Sequence, residues 1–179
     1  MRLKDKVAIV TGGAHGMGEA EARLFATEGA KVIVADILEH EAEIVAADIR
    51  TGGEEAMSAK IDVTSEAEWM GLIDKAVATY GKLDILVNNA GISGSSVGDP
   101  AGLEGWHRII AVNQTSVFLG TKLAAEHMAK TGGGSIVNIS SIMGFVGSAS
   151  GHPLITHPKV RCGSTRKPQP CGMDRPGSG

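Results

Sequence analysis

Val7-Ala8-Ile9-Val10-Thr11-Gly12-Gly13-Ala14-His15-Gly16-Met17-Gly18 decides the fold. The run from Lys6 to Thr11 is short, apolar and β-branched, the composition of a strand buried on both faces. It stops at a turn with glycines at 12, 16 and 18, and a stretch of helical character follows at once. Such a junction brings the carboxyl end of a strand to a loop whose backbone can approach a pyrophosphate. The helix behind the loop then points its free N–H groups at the charge.

The chain on either side repeats that alternation. Met17–Gly29 reads as a helix with Ala20, Leu24 and Phe25 on one face, Glu19, Glu21 and Arg23 on the other, and Gly29 as its C-cap. Residues 31–35 form a second buried strand that closes on Asp36, and a helix from Glu39 to about Arg50 ends at Thr51-Gly52-Gly53. A third strand over 56–61 leads through Asp62-Val63-Thr64 to an N-cap at Ser65 and a helix reaching Tyr80 and Gly81. A fourth strand over 83–87 ends in Asn88-Asn89-Ala90-Gly91. After a Gly/Ser/Pro loop, one long helix spans roughly 103–130, and a fifth strand covers 135–141. Strands this apolar, alternating with helices, predict an α/β doubly wound parallel sheet of Rossmann-like type, with right-handed crossovers.

A carboxylate stands where the second strand closes. Asp36 lies 18 residues beyond Gly18, where it can accept hydrogen bonds from both ribose hydroxyls of an adenosine and repel a 2′-phosphate. No arginine or lysine stands in the sequence where it could receive that phosphate, so the pattern favours NAD over NADP.

Bulk composition narrows the function classes. A chain of 179 residues suffices for one domain with a substantial core. Aromatics at 3% leave little for base-stacking platforms, and a net charge of −3 argues against a nucleic-acid binder. No apolar run is long enough to span a bilayer, and the amino terminus lacks the layout of a signal peptide. Cysteine occurs only at 162 and 171, which points to a reducing, cytoplasmic compartment. Cys162 and Cys171 read as free thiols, His152 and His157 as loop residues, and no metal site is expected.

The glycine spacing Thr-Gly-x-x-x-Gly-x-Gly, together with Asn88-Asn89-Ala90-Gly91, closely resembles the short-chain dehydrogenase/reductase (SDR) family over about residues 3–150. Asp62-Val63-Thr64 matches that family's acidic turn near the adenine, Val112-Asn113-Gln114-Thr115 its helix with the active-site Asn, and Ile139-Ser140-Ser141 its strand end with the active-site Ser. The resemblance implies a cofactor site of Thr11, Gly12, His15, Gly16, Met17, Gly18, Asp36, Ile37, Asp62, Val63, Asn89, Ala90 and Gly91. It implies Ser141, with the neighbouring Ser140 as the alternative, and Asn113 as catalytic residues: Ser141 hydrogen-bonds the substrate oxygen and Asn113 supports a proton-relaying water. The implied activity is NAD-dependent oxidation of a secondary alcohol or reduction of a ketone. Implied partners are a small-molecule alcohol or ketone and, in the family, further copies of the chain docked through the long helix and the one after it.

The family's Tyr-x-x-x-Lys, in which lysine lowers the pKa of the tyrosine base, has no counterpart. The only tyrosine is Tyr80, and the expected place reads Gly151-His152-Pro153-Leu154-Ile155-Thr156-His157-Pro158-Lys159. The composition also breaks there. Residues 151–179 hold five of six prolines and carry five basic residues (Lys159, Arg161, Arg166, Lys167, Arg175) against Asp174. That is a net of +4, leaving −7 on the first 150. Leu154 to Cys162, back-translated with allowed codons and read from the third base, gives Tyr-His-Ala-Ser-Lys-Gly-Ala-Val. A nucleotide-binding domain over 1–150 and an irregular, out-of-frame tail over 151–179 are therefore expected, with the family's final strands and helices missing. Without them, the apolar face of the long helix (Val112, Val117, Phe118, Leu119) should be exposed and the fifth strand should become an edge.

Overall fold

Every residue of β1 (Val7–Thr11) is buried, and the molecule is built outward from it. The computed structural model describes residues 1–99 and 102–141. The elements run α1 (Gly16–Thr27), β2 (Lys31–Asp36), α2 (Glu39–Thr51), β3 (Ala56–Lys60), α3 (Glu66–Tyr80), β4 (Ile85–Asn88), α4 (Leu103–Ile110), α5 (Ser116–Lys130) and β5 (Ser135–Asn138). The strands pair in parallel in the order β3-β2-β1-β4-β5. The expected doubly wound sheet is therefore present.

The period of two along β1 divides the core in two. Val7 and Ile9 join Ile33, Leu86, Trp69, Leu72, Ile73 and Met128 on the α3/α5 face. Ala8 and Val10 join Val32, Val34, Val87, Ala22, Ala26, Val45 and Ile49 on the α1/α2 face. Each large side chain buried there contributes about 1.5–3 kcal/mol. Trp69 is 1% exposed and still satisfies its indole N–H on the Val63 carbonyl at 2.9 Å. A Cβ on Gly120 would come within 2.6 Å of the Trp69 ring and of Asn88 Oδ1, so α5 lies this close only with glycine there.

Two local expectations are met in detail. Ser65 Oγ accepts the Glu68 N–H at 3.3 Å, capping α3, and Gly81 ends that helix at φ +83°. Gly29, at φ +90°, follows the Glu28 cap of α1.

Three expectations need correction. The buried stripe of α1 is Gly18, Ala22 and Ala26, whereas Leu24 is 54% exposed, Ala20 is exposed and Phe25 is only partly buried. The helix lies so close to the glycine turn that only the smallest side chains fit beneath it. The long helix is two helices, because the backbone widens into a π turn over Ala111–Thr115. Of its apolar face only Phe118 is exposed, at 64%; Val117 is buried, and Val112 and Leu119 pack against the core. β5 is an edge among the described strands, with Val137 42% exposed. The tail over 151–179, with Cys162, Cys171, His152 and His157, lies outside the described residues.

Candidate active site

Thr11, the last residue of β1, ties the glycine turn to the turn after β4. Its hydroxyl donates to the Val87 carbonyl at 3.1 Å and accepts from the backbone N–H of Asn89 at 3.1 Å and of Ala90 at 3.2 Å. The Asn89 side-chain amide donates back to the carbonyls of Thr11 (3.0 Å) and Gly12 (3.2 Å). Buried polar groups of two neighbouring turns are thus satisfied by each other, which sets the floor of the site. A Cβ on Gly18 would overlap the Gly12 carbonyl and approach Asn89 Nδ2 to 2.6 Å.

Above that floor, the amino end of α1 carries no side-chain cap. Gly16 sits at φ +59° with open space where a Cβ would project. The N–H groups of a 12-residue helix are left for an external acceptor. Asp36 closes β2 beside them. One of its oxygens accepts the Ala14 N–H and the other the Leu38 N–H, both at 3.1 Å. Each oxygen retains a second acceptor site, so the carboxylate can still receive two hydroxyl donors.

Asp62 follows β3. Its Oδ1 accepts both the Thr64 hydroxyl (2.7 Å) and the Thr64 N–H (2.9 Å). Those two bonds, with a smaller contribution from Arg108, hold the Asp62 carboxyl below the usual aspartate range.

These turns open onto one cleft of about 820 Å³ at the carboxyl ends of β1 to β4. The strand order reverses between β1 and β4, the usual place for a ligand in an open α/β sheet. Ten of the thirteen expected cofactor residues line it: Gly12, His15, Met17, Asp36, Ile37, Asp62, Val63, Asn89, Ala90 and Gly91. Thr11 and Gly18 lie beneath the turn, and Gly16 is at its tip.

The expected catalytic residues stand apart from that lining. Asn113 lies in the π turn and spends its side chain on the Ile92 backbone. Ser141 is exposed, three residues past the end of β5. Tyr80 is remote: it packs over the Lys31 ammonium, 5.5 Å from the ring centroid, where β2 begins. Burial and the nearby Glu55 raise its phenol pKa, so it is no poised base. Among the described residues no group of three His, Cys, Asp or Glu side chains could hold a metal, and no described helix is long and apolar enough to cross a membrane.

One wall was not foreseen. Glu104, His107, Arg108 and Ala111 line the cleft from α4 and the turn after it. Their spacing of i, i+3, i+4 and i+7 makes one helical stripe. Being mostly polar, the stripe reads in sequence as a solvated face; only tertiary packing turns it toward Asp36 and Asp62.

The site can be set beside known proteins. The profile of the family described as short chain dehydrogenase matches residues 6–153. A 2,5-dichloro-2,5-cyclohexadiene-1,4-diol dehydrogenase of Sphingobium indicum is 46% identical over 148 residues, 83% of this chain and 59% of that protein. A 3-alpha-(or 20-beta)-hydroxysteroid dehydrogenase of Mycobacterium tuberculosis is 44% identical over 151 residues, 84% of this chain and 57% of that protein. Among solved structures, a 7 alpha-hydroxysteroid dehydrogenase complexed with NADH and 7-oxo glycochenodeoxycholic acid superposes with a TM-score of 0.77 at 39% identity. That match covers 82% of this chain and 57% of the other. The chain spans less than three-fifths of the length of the relatives it matches.

Proposed function

The chain belongs to the short-chain dehydrogenase family, and from that premise we propose that its cleft binds NAD to serve the oxidation of a ring-borne secondary alcohol, or the reverse reduction of the ketone. The observation that carries the reading is Asp36 beside an uncapped helix amino end. The turn N–H groups take the pyrophosphate, and Asp36 takes the ribose hydroxyls and disfavours a 2′-phosphate. The adenosine end rests between Ile37, Asp62 and Val63, and Asn89, Ala90 and Gly91 line the way toward the substrate. The ring preference follows from the names of the relatives, which are dehydrogenases of a cyclohexadiene diol and of hydroxysteroids.

Bound nicotinamide supplies the hydride acceptor or donor. The residues of this chain hold the substrate oxygen, and the proton released from the alcohol passes to the water at Asn113, since no tyrosine base lines the cleft. Asn113 fixes the Ile92 turn at the substrate side and supports a water, while Ser141 hydrogen-bonds the alcohol or carbonyl oxygen. Residues 1–150 act as the cofactor unit and 151–179 as an out-of-frame tail in a cytoplasmic protein.

A second reading, binding of NAD without turnover, is favoured by one observation: the only tyrosine stands at the start of β2, whereas the cleft is at the opposite ends of the strands. Fluorescence titration with NADH and NADPH, run beside turnover of cyclopentanol and cyclohexanol, separates the readings. Tight NADH binding with turnover supports the enzyme; binding alone supports the second reading; no binding overturns both. Sequencing the DNA across codons 145–160 tests the tail, since an uninterrupted frame there would refute the frame change.

A further inference from the structure

The stripe on α4 has chemistry that the fold does not use. Opposite it, Gly105 and Ile109 are buried and hold the helix to the body. On the cleft side, the Arg108 guanidinium stands in the lining, exposed, where it acts on the Asp62 carboxylate. The described cleft lining contains three carboxylates, Asp36, Asp62 and Glu104, against this single guanidinium. An anionic ligand entering such a cleft meets a wall that repels it everywhere except at the turn N–H groups and at Arg108.

We propose that Arg108 is a binding residue for the adenosine half of the dinucleotide, its guanidinium lying against the adenine from the side opposite Asp62 and Val63 and offsetting the acidic wall. The inference rests on the cofactor reading of the same cleft. Arginine suits the role because its planar cation stacks on an aromatic face and stays charged at any working pH. The influence of Arg108 on the Asp62 carboxyl supports the two side chains facing each other across the cleft. The assignment also qualifies the preference for NAD: a cation absent from the β2–α2 turn is supplied 72 residues later by a different wall.

Calorimetric titration of wild type, Arg108→Ala and Arg108→Lys with AMP, ADP-ribose and nicotinamide mononucleotide tests it. Arg108 is exposed, so the variants should melt as wild type does. Arg108→Ala is expected to weaken AMP and ADP-ribose by about three- to tenfold and leave nicotinamide mononucleotide unchanged. Arg108→Lys, which keeps the charge and loses the plane, is expected to recover only part of that loss. Unchanged AMP binding in Arg108→Ala, an equal loss for nicotinamide mononucleotide, or full recovery by lysine would overturn the proposal. If wild type binds AMP and ADP-ribose while the variants match it, only Arg108 is misassigned. If wild type binds neither, the cofactor reading itself falls.

Discussion

Asn113 and Ile92 are joined by two hydrogen bonds of 2.8 Å: Asn113 Oδ1 accepts the Ile92 N–H, and Asn113 Nδ2 donates to the Ile92 carbonyl. A side chain in the π turn between α4 and α5 thereby takes the place of a backbone ladder partner for the segment that leaves β4. The pair orders the loop beside Gly91 and, with it, one wall of the cleft.

Replacing Asn113 by leucine, which keeps the bulk and removes both bonds, should lower stability by about 1–3 kcal/mol. Asn113→Asp should cost part of that, since it keeps an acceptor for the Ile92 N–H and loses the donor. Urea denaturation of the purified chain measures both.

Gly16 and Gly18 should respond differently to alanine. At Gly18 the added methyl would overlap the Gly12 carbonyl, so the turn must shift; a lower melting temperature and loss of NADH binding are expected together. At Gly16 there is room, and the penalty comes from φ +59°, about 1–2 kcal/mol. Thermal melts with and without NADH distinguish the two.

Asp62 makes a pH prediction with a definite sign. Its carboxyl is held below the ordinary aspartate value by the Thr64 hydroxyl and N–H. The stabilisation is therefore complete above the unfolded value of 3.8 and is lost as pH falls through the lower folded value. Asp62→Asn can still accept from Thr64 but does not titrate, so its urea midpoint should vary less with acid than that of wild type.

Asp36→Asn keeps an oxygen for a backbone N–H and removes the charge that repels a 2′-phosphate. With Arg108 lining the same cleft, NADPH should gain on NADH by on the order of tenfold, read as the ratio of fluorescence-derived dissociation constants.

Val137 on β5, an edge among the described strands, and Phe118 on α5 are exposed apolar groups. Val137→Lys should reduce light scattering on concentration without lowering the melting temperature, because a charged edge resists strand pairing.

Much of this molecule is readable from local chemistry. A buried strand, a glycine turn, a helix and an acid at the next strand end are each dictated by residues close together, and so the sheet, its glycine turn, the Ser65 cap and the Gly81 stop follow from sequence alone. The cleft residues foreseen are those that sit at strand ends, where period-two burial gives way to a turn. What needed the fold depends on distance across space. Leu24 looks like core but is exposed, because the close approach of Gly18 to Gly12 lets only Ala22 and Ala26 beneath α1. The π turn at Asn113 is invisible to helical periodicity, since it is set by the Ile92 backbone 21 residues away. The polar stripe of α4 reads as solvated until α4 is laid over the turns of β2 and β3. Sequence determined the strand ends and the glycine turn at the cleft, because each is set by neighbouring residues; tertiary packing alone decided that Arg108 lines that cleft, because α4 reaches it only across the fold.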